Sequence, residues 1–430
     1  MKSLIRSIII FLLTLEARLV IRKYKPKIIM VTGSVGKTST KDALYTALQN
    51  RYHIRKSDKS YNSDVGVPLT ILGCPNAWSS PREWFNNLVE GLALIVMPHR
   101  YPEWLILEVG ADKPGDIRSI LRYVRPDVVV VTRLPDIPVH VEFYKTPRQV
   151  IEEESLPVHL LTEDGLLVIN ADDQNMTELK EATRAKVITV GVHHAADVVF
   201  SNELFIEREG KVEGLAFHLT HQGSSAPFAL VGALGRQHVY PVALASAVAL
   251  NAGVNLVDLS ESFSRHETPP GRMRILKGIK GSTIIDDTYN ASPVAMEEAL
   301  STLRVLPVTG KRLALLGDML ELGVYSKDMH TKIGKIAGSF LDTLGTVGVR
   351  AQGIAQTALG EGMSEAKVFQ YEDSRKAGKE FEQFVEEGDV ILIKGSQSMR
   401  MERAVKELMA EPEYAERLLC RQDEVWLDRP

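Results

Sequence analysis

The stretch Lys27-Ile28-Ile29-Met30-Val31-Thr32-Gly33-Ser34-Val35-Gly36-Lys37-Thr38-Ser39-Thr40 runs from an apolar segment, through a turn bounded by two glycines, into residues compatible with a helix. A strand entering such a turn and leaving as a helix makes a cradle for phosphate. Backbone amides at the helix start face the anion, Lys37 adds a point charge, and the Thr38 hydroxyl suits Mg²⁺. The spacing is the short form G-x-x-G-K-T, because G-x-x-x-x-G-K-[ST] would need glycine at Val31. Gly33, Ser34, Val35, Gly36, Lys37, Thr38 and Ser39 are therefore the expected nucleotide-binding residues, set within an α/β fold.

Further strands follow. Trp104 to Val109 is apolar and ends in Glu108, before Gly110-Ala111-Asp112. Ligands of open parallel sheets collect at the carboxyl ends of strands, so Glu108 is a candidate ligand for a metal on the same nucleotide. Asp127 to Thr132 is β-branched enough to be buried on both faces. His140 follows it, and a helix is expected from Pro147 through Glu152, Glu153 and Glu154. A lone histidine beside aromatic neighbours is more often packed or superficial than a ligand. Leu166 to Asp173 is another strand with a polar end. Ser60 to Thr70 reads as a surface turn leading into a buried helix, although such a loop could approach phosphates. Val198 to Val231 alternates over short runs, as an antiparallel excursion does.

The breaker Pro269-Pro270-Gly271-Arg272 marks a boundary, after which strands and helices alternate again. The strands are expected near 282–286, 312–316, 343–349, 367–371 and 390–394. Three of them end in polar sequence: Asp286-Asp287-Thr288-Tyr289-Asn290, Gly317-Asp318-Met319-Leu320-Glu321 and Lys394-Gly395-Ser396. Three polar strand ends on one sheet edge describe a binding crevice. The expected organisation is an N-terminal helix (1–25), a central phosphate-loop domain with a mostly parallel sheet (26–272), and a C-terminal Rossmann-like doubly wound domain (273–430).

Composition narrows the function. With 430 residues, 44% hydrophobic and 25% charged, the chain is globular in character. A formal charge of −4 without a basic, aromatic-interleaved run argues against nucleic acid. Two cysteines, Cys74 and Cys420, make neither a disulfide framework nor a thiolate metal site, which fits a reducing, cytoplasmic setting. The apolar run Ile8 to Leu13 is shorter than the roughly 20 residues a membrane span needs, and Glu16 and Arg18 interrupt it. A helix packed on the following domain is favoured over weak membrane-surface contact through residues 1–22.

Taken in order, these elements resemble the Mur ligase family: Thr32 to Ser39, Glu108-Val109-Gly110-Ala111, His140, Asn170-Ala171-Asp172-Asp173, Pro270-Gly271-Arg272, Asp286 to Pro293, Leu316 to Gly323 and Lys394-Gly395-Ser396. The resemblance implies an ATP-dependent amide ligase of cell-wall synthesis in which a carboxylate takes the γ-phosphoryl group and an amine attacks the acyl phosphate. The implied cofactors are ATP and Mg²⁺. The implied substrates are a dipeptide such as D-alanyl-D-alanine and a peptide-bearing cell-wall precursor, used by a monomer. It assigns Lys37, His140 and Lys394 to catalysis, Thr38, Glu108 and His140 to metal, and Arg272, Asn290 and Asp286 or Asp287 to the nucleotide. It also implies domain closure that keeps water from the acyl phosphate.

Three departures stand out. Only 26 residues precede Lys27, where the family carries a domain gripping a UDP-sugar. The family's metal-ligating carbamoylated lysine is matched by Glu154, a carboxylate with a shorter arm and a candidate metal ligand in its own right. Gly235-Arg236-Gln237-His238 alters a glycine-then-His-Asn pattern, so that either His238 or Gln237 takes over the family's approach to the nucleotide or the site has drifted. The competing readings are a folylpolyglutamate-like ligase for another acceptor and a nucleotide-binding scaffold without ligation.

Overall fold

A computed structural model describes residues 2–78, 80–193 and 195–427. Contacts divide the chain into two units, one of residues up to Ser201 with His218–Pro227 and Val239–Arg265, the other of Asn202–Phe217, Phe228–His238 and His266 onward.

The first unit is built on the buried strand β1 (Lys27–Thr32), whose residues from Ile28 onward are all buried. Such a strand needs cover on both faces and parallel neighbours on both edges. It has them in β3 (Trp104–Glu108), where Val31 pairs with Glu108, and β4 (Val128–Val131), where Thr32 pairs with Val131. The full sheet order is β2-β3-β1-β4-β5-β6-β7-β8-β9, with β2 (Ile54–Arg55), β5 (Leu166–Asn170), β6 (Lys186–Gly191), β7 (Val198–Arg208), β8 (Lys211–His221) and β9 (Ser224–Val231). Adjacency of β3, β1 and β4, all parallel, puts the segments after Glu108, Thr32 and Val131 on one edge. The expected antiparallel excursion is β7 to β9. Its connections are the two-residue turns Glu209-Gly210 and Gln222-Gly223, with positive φ at all four residues, the geometry that suits strand twist.

Helices cover this sheet. α1 (Lys2–Tyr24) sets Leu13, Ala17 and Val20 fully into the core, so the favoured packed helix is observed. α2 (Lys37–Leu48) leaves the phosphate loop, and α3 (Gly66–Leu72) is buried along its whole length. α4 (Pro81–Val96) begins with the Ser80 side chain accepting from the Glu83 amide and with proline in its first turn, the favoured start. α5 (Asp116–Leu121) and α6 (Pro147–Ser155) follow β3 and β4.

The second unit holds a six-stranded sheet in the order β10-β11-β15-β12-β13-β14. Its strands are β10 (Arg274–Lys277), β11 (Thr283–Asp287), β12 (Arg312–Gly317), β13 (Thr343–Val347), β14 (Val368–Tyr371) and β15 (Val390–Lys394). Only β10 runs antiparallel. The three expected polar strand ends, those of β11, β15 and β12, are neighbours and parallel, so they share one edge.

Candidate active site

The loop after β1 works through two glycines. Gly36, at φ 87°, is the left-handed residue that starts α2, and a Cβ on Gly33 (φ 117°) would collide with the Thr132 hydroxyl on the neighbouring strand. The Ser34 amide donates to the Arg133 carbonyl at 2.8 Å, which ties the loop to the end of β4. Lys37 Nζ donates to the Gly33 carbonyl and lies 3.9 Å from Glu154 Oε1.

Glu108 sits across from this loop because β3 pairs with β1 in that register. Its Oε1 accepts from Thr38 Oγ1 at 3.1 Å and from Ser60 Oγ at 2.5 Å. Its Oε2 is buried with no hydrogen-bond donor, and Lys41 Nζ stands 4.0 Å away. A buried carboxylate oxygen without a donor, beside a phosphate-loop threonine, fits a hard divalent cation. Thr38 and Glu108 therefore suit Mg²⁺. Lys41 is itself fully buried; burial pulls its pKa down and Glu108 is the main force opposing that.

Two of these residues escaped sequence reading. The Ser60 loop, expected as a surface turn, instead reaches the end of β3: Ser60 binds Glu108, and the Gly110 amide donates to the Asn62 carbonyl at 3.3 Å. The contact depends on strand order, which places the segment after β2 beside β3. Lys41 did carry a signal, since it follows Lys37 by four residues and shares its helical face.

Glu154, on α6, is 1% exposed. Its Oε2 accepts from Ser34 Oγ at 2.6 Å and its carbonyl from Thr32 Oγ1 at 2.8 Å. Burial pushes its carboxyl pKa up, opposed chiefly by Lys37 and the Ser34 hydrogen bond. His140 adopts a left-handed backbone (φ 66°, ψ 6°), uncommon outside glycine though histidine is among the more tolerant residues, and its Nε2 lies 3.4 Å from Asp112 Oδ1. Among the described residues no three His, Cys, Asp or Glu side chains gather as a metal cluster. Thr38 pairs with Glu108, while Glu154 belongs with Ser34 and Lys37.

The second unit carries its own polar cluster. Lys394, 2% exposed at the end of β15, contacts Asp287 Oδ2 at 2.7 Å and donates to the Asn290 carbonyl at 2.9 Å. Burial pulls the Lys394 pKa down and Asp287 works against it. Asp286 is fully committed to structure, accepting from the Gly271 amide, the Thr288 amide and the Thr288 hydroxyl, and burial raises its pKa to about 6. Between the two aspartates left open by sequence, Asp287 is the one that faces Lys394. The Arg272 guanidinium stacks 4.0 Å from the Tyr289 ring centre. His238 is buried with its Nε2 on the Arg272 carbonyl at 2.8 Å, and burial lowers its pKa to about 4. That bond ties it to the backbone of Arg272.

A phosphate loop, a strand-end carboxylate bonded to its threonine, and a second doubly wound unit with a buried lysine describe an ATP-dependent ligase. Residues 31–249 match the Mur ligase middle domain and residues 271–397 the Mur ligase glutamate ligase domain, so the chain belongs to the Mur ligase family. Among curated proteins it is 27% identical to the UDP-N-acetylmuramoyl-tripeptide–D-alanyl-D-alanine ligase of Bacillus subtilis, over 92% of this chain and 79% of that one. It is 24% identical to the enzyme of the same name from Escherichia coli, over 89% and 76%. Its fold matches the crystal structure of MurF ligase from Thermotoga maritima in complex with ADP, with a TM-score of 0.74 and 26% identity over 95% of this chain and 84% of that one.

Proposed function

We propose that this protein uses ATP to join a D-alanyl-D-alanine-like dipeptide to the carboxylate of a peptide-bearing cell-wall precursor, acting in the cytoplasm. The observation that carries the reading is the buried Glu108 carboxylate, bonded through one oxygen to Thr38 and Ser60 and lacking a donor on the other. When bound, Mg²⁺ would neutralise phosphate charge and orient the γ-phosphoryl group. The acceptor carboxylate oxygen forms a bond to the γ-phosphorus as the bond to ADP breaks. The dipeptide amine, once it has lost its proton, attacks the acyl carbon, and inorganic phosphate leaves.

Lys37 and the loop amides are placed to stabilise charge on the transferring group. Glu154 holds Ser34 and faces Lys37, so its carboxylate fixes the lysine and is available to a cation beside the loop. His140 is assigned to the same chemistry. Within the second unit Lys394, Arg272, Asp287 and Asn290 are assigned to nucleotide and substrate recognition. The likeness to the named D-alanyl-D-alanine ligases, across most of both chains, supports this acceptor chemistry over a folylpolyglutamate-like one.

The test is phosphate release by purified protein with ATP, Mg²⁺, D-alanyl-D-alanine and a UDP-linked muramoyl tripeptide. Release that requires both substrates, and falls about a hundredfold or more in Lys37→Ala, is expected. Release independent of both would overturn the reading in favour of a scaffold.

A further inference from the structure

α1 and α4 pack against each other and against the core of the first unit, and each has a second, outward apolar face. On α1 the outer side chains are Ile8, Phe11, Leu12, Leu15 and Leu19, opposite the buried Leu13, Ala17 and Val20. On α4 they are Phe85, Val89, Leu92 and Val96, spaced four, three and four residues apart and therefore in one stripe along the helix. Phe11 is 67% exposed, Phe85 65% and Val96 70%; Met97 just beyond is 57% exposed.

Single exposed hydrophobic residues are ordinary, but these are concentrated. Ten of the twenty large exposed hydrophobic side chains among the described residues lie on these two helices and Met97. A contiguous apolar face of this kind marks a contact surface. The helix pair is also rigidly held. Lys23 Nζ donates to the Leu94 and Ile95 carbonyls at 2.8 and 3.0 Å, and Tyr24 Oη to Leu94 at 2.9 Å, closing the α4 C-terminus.

Charge selects the occupant. The first 27 residues hold seven Lys and Arg and one acid, in a chain whose net charge is −4. Arg18 and Arg22 are exposed and follow Leu15 by three and seven residues, which sets them on the margin of the apolar face. Long basic side chains at such a margin reach outward while their stems lie on apolar surface. A two-fold contact with another copy would bring this basic margin against itself. No helix among the described residues is long and apolar enough to cross a membrane. We propose that the outer faces of α1 and α4 form a docking surface for an anionic lipid bilayer, on which the protein lies without crossing it.

The full chain should float with phosphatidylglycerol vesicles, bind phosphatidylcholine vesicles at least tenfold more weakly, and be released as salt is raised to about 0.5 M. Phe11→Ser with Leu15→Ser, and separately Phe85→Ser with Leu92→Ser, should each reduce vesicle binding tenfold or more while leaving the unfolding midpoint unchanged, since all four side chains are exposed. Arg18→Glu with Arg22→Glu should abolish the preference for anionic lipid. Three results would overturn the proposal: binding that survives both apolar double substitutions, no vesicle binding by a monomer, or no vesicle binding by a dimer that those substitutions dissociate.

Discussion

Glu154 is a buried carboxylate whose neighbours are a serine hydroxyl and the phosphate-loop lysine, at 2.6 and 3.9 Å. A charge so placed is retained only if its partners repay desolvation, and burial already raises its pKa. Glu154→Ala removes it, and we expect turnover at limiting Mg²⁺ to fall about tenfold or more. Activity equal to the parent there would remove Glu154 from the machinery. Glu154→Lys is the more informative variant: if the position requires an anionic carboxylate, the lysine recovers activity only when bicarbonate is supplied to carbamoylate it. How much of this was legible depends on the kind of contact. Lys37, Thr38 and Glu108 could be read because a phosphate loop and a strand-end acid each have a local pattern. Ser60 could not, because its partner lies 48 residues away and the two meet only once β2 takes its place beside β3. His238 drew attention through an altered motif, yet its hydrogen bond to a carbonyl 34 residues on had no local signature.

Among the elements, parallel strands were the most legible, since a continuous β-branched run bounded by polar residues has few other readings. The short edge strand β2 and the helix α4 were not. α4 turns Trp84, Leu88 and Ile95 toward the core and Phe85, Val89, Leu92 and Val96 outward, and an apolar sequence of this kind does not by itself say which face is covered. The α1–α4 packing also contains an acid. Glu16 on α1 faces Gly91 of α4, where a Cβ would collide with its carboxyl, and its Oε2 has no hydrogen-bond donor. Burial raises its pKa from 4.5 to about 7, with Cys74 and Glu90 nearby. The folded pKa exceeds the unfolded one, so the folded state holds the extra proton between these values. The associated stability is fully present below about pH 4.5 and is lost as pH rises to about 7. Glu16→Gln, which cannot ionise, should therefore be more stable than the parent at pH 8, with the advantage shrinking toward pH 4.5. Urea midpoints at the two pH values measure this; an equal difference at both would show that ionisation of Glu16 is not the cause.

At the scale of the whole molecule, the chain has two sheets and divides into two units, and the segments 202–217 and 228–238, which carry parts of β7, β8 and β9, group with the C-terminal unit. Alternating strands and helices made the two-sheet plan readable, but the grouping of the long antiparallel strands β7 to β9 depends on contacts distant in sequence and has no local signature. A chain of two units need not unfold in a single step. The phosphate loop lies wholly in the first unit, so a ligand it binds must stabilise that unit by mass action, by about 2.7 kcal/mol at a hundred times its dissociation constant. For a unit of this size, that corresponds to a rise of roughly 5 to 10 °C in its unfolding midpoint. Calorimetry with Mg²⁺ and ADP should show this rise, and Lys37→Ala should abolish most of it, the rise being measured from that variant's own ligand-free midpoint because the substitution also removes the cation facing the buried Glu154. If the two units unfold independently, only one component of the endotherm moves; if they unfold together, the whole endotherm moves by a smaller amount. No movement in either case would show that the loop does not bind the nucleotide, and with it the proposed ligation would fall.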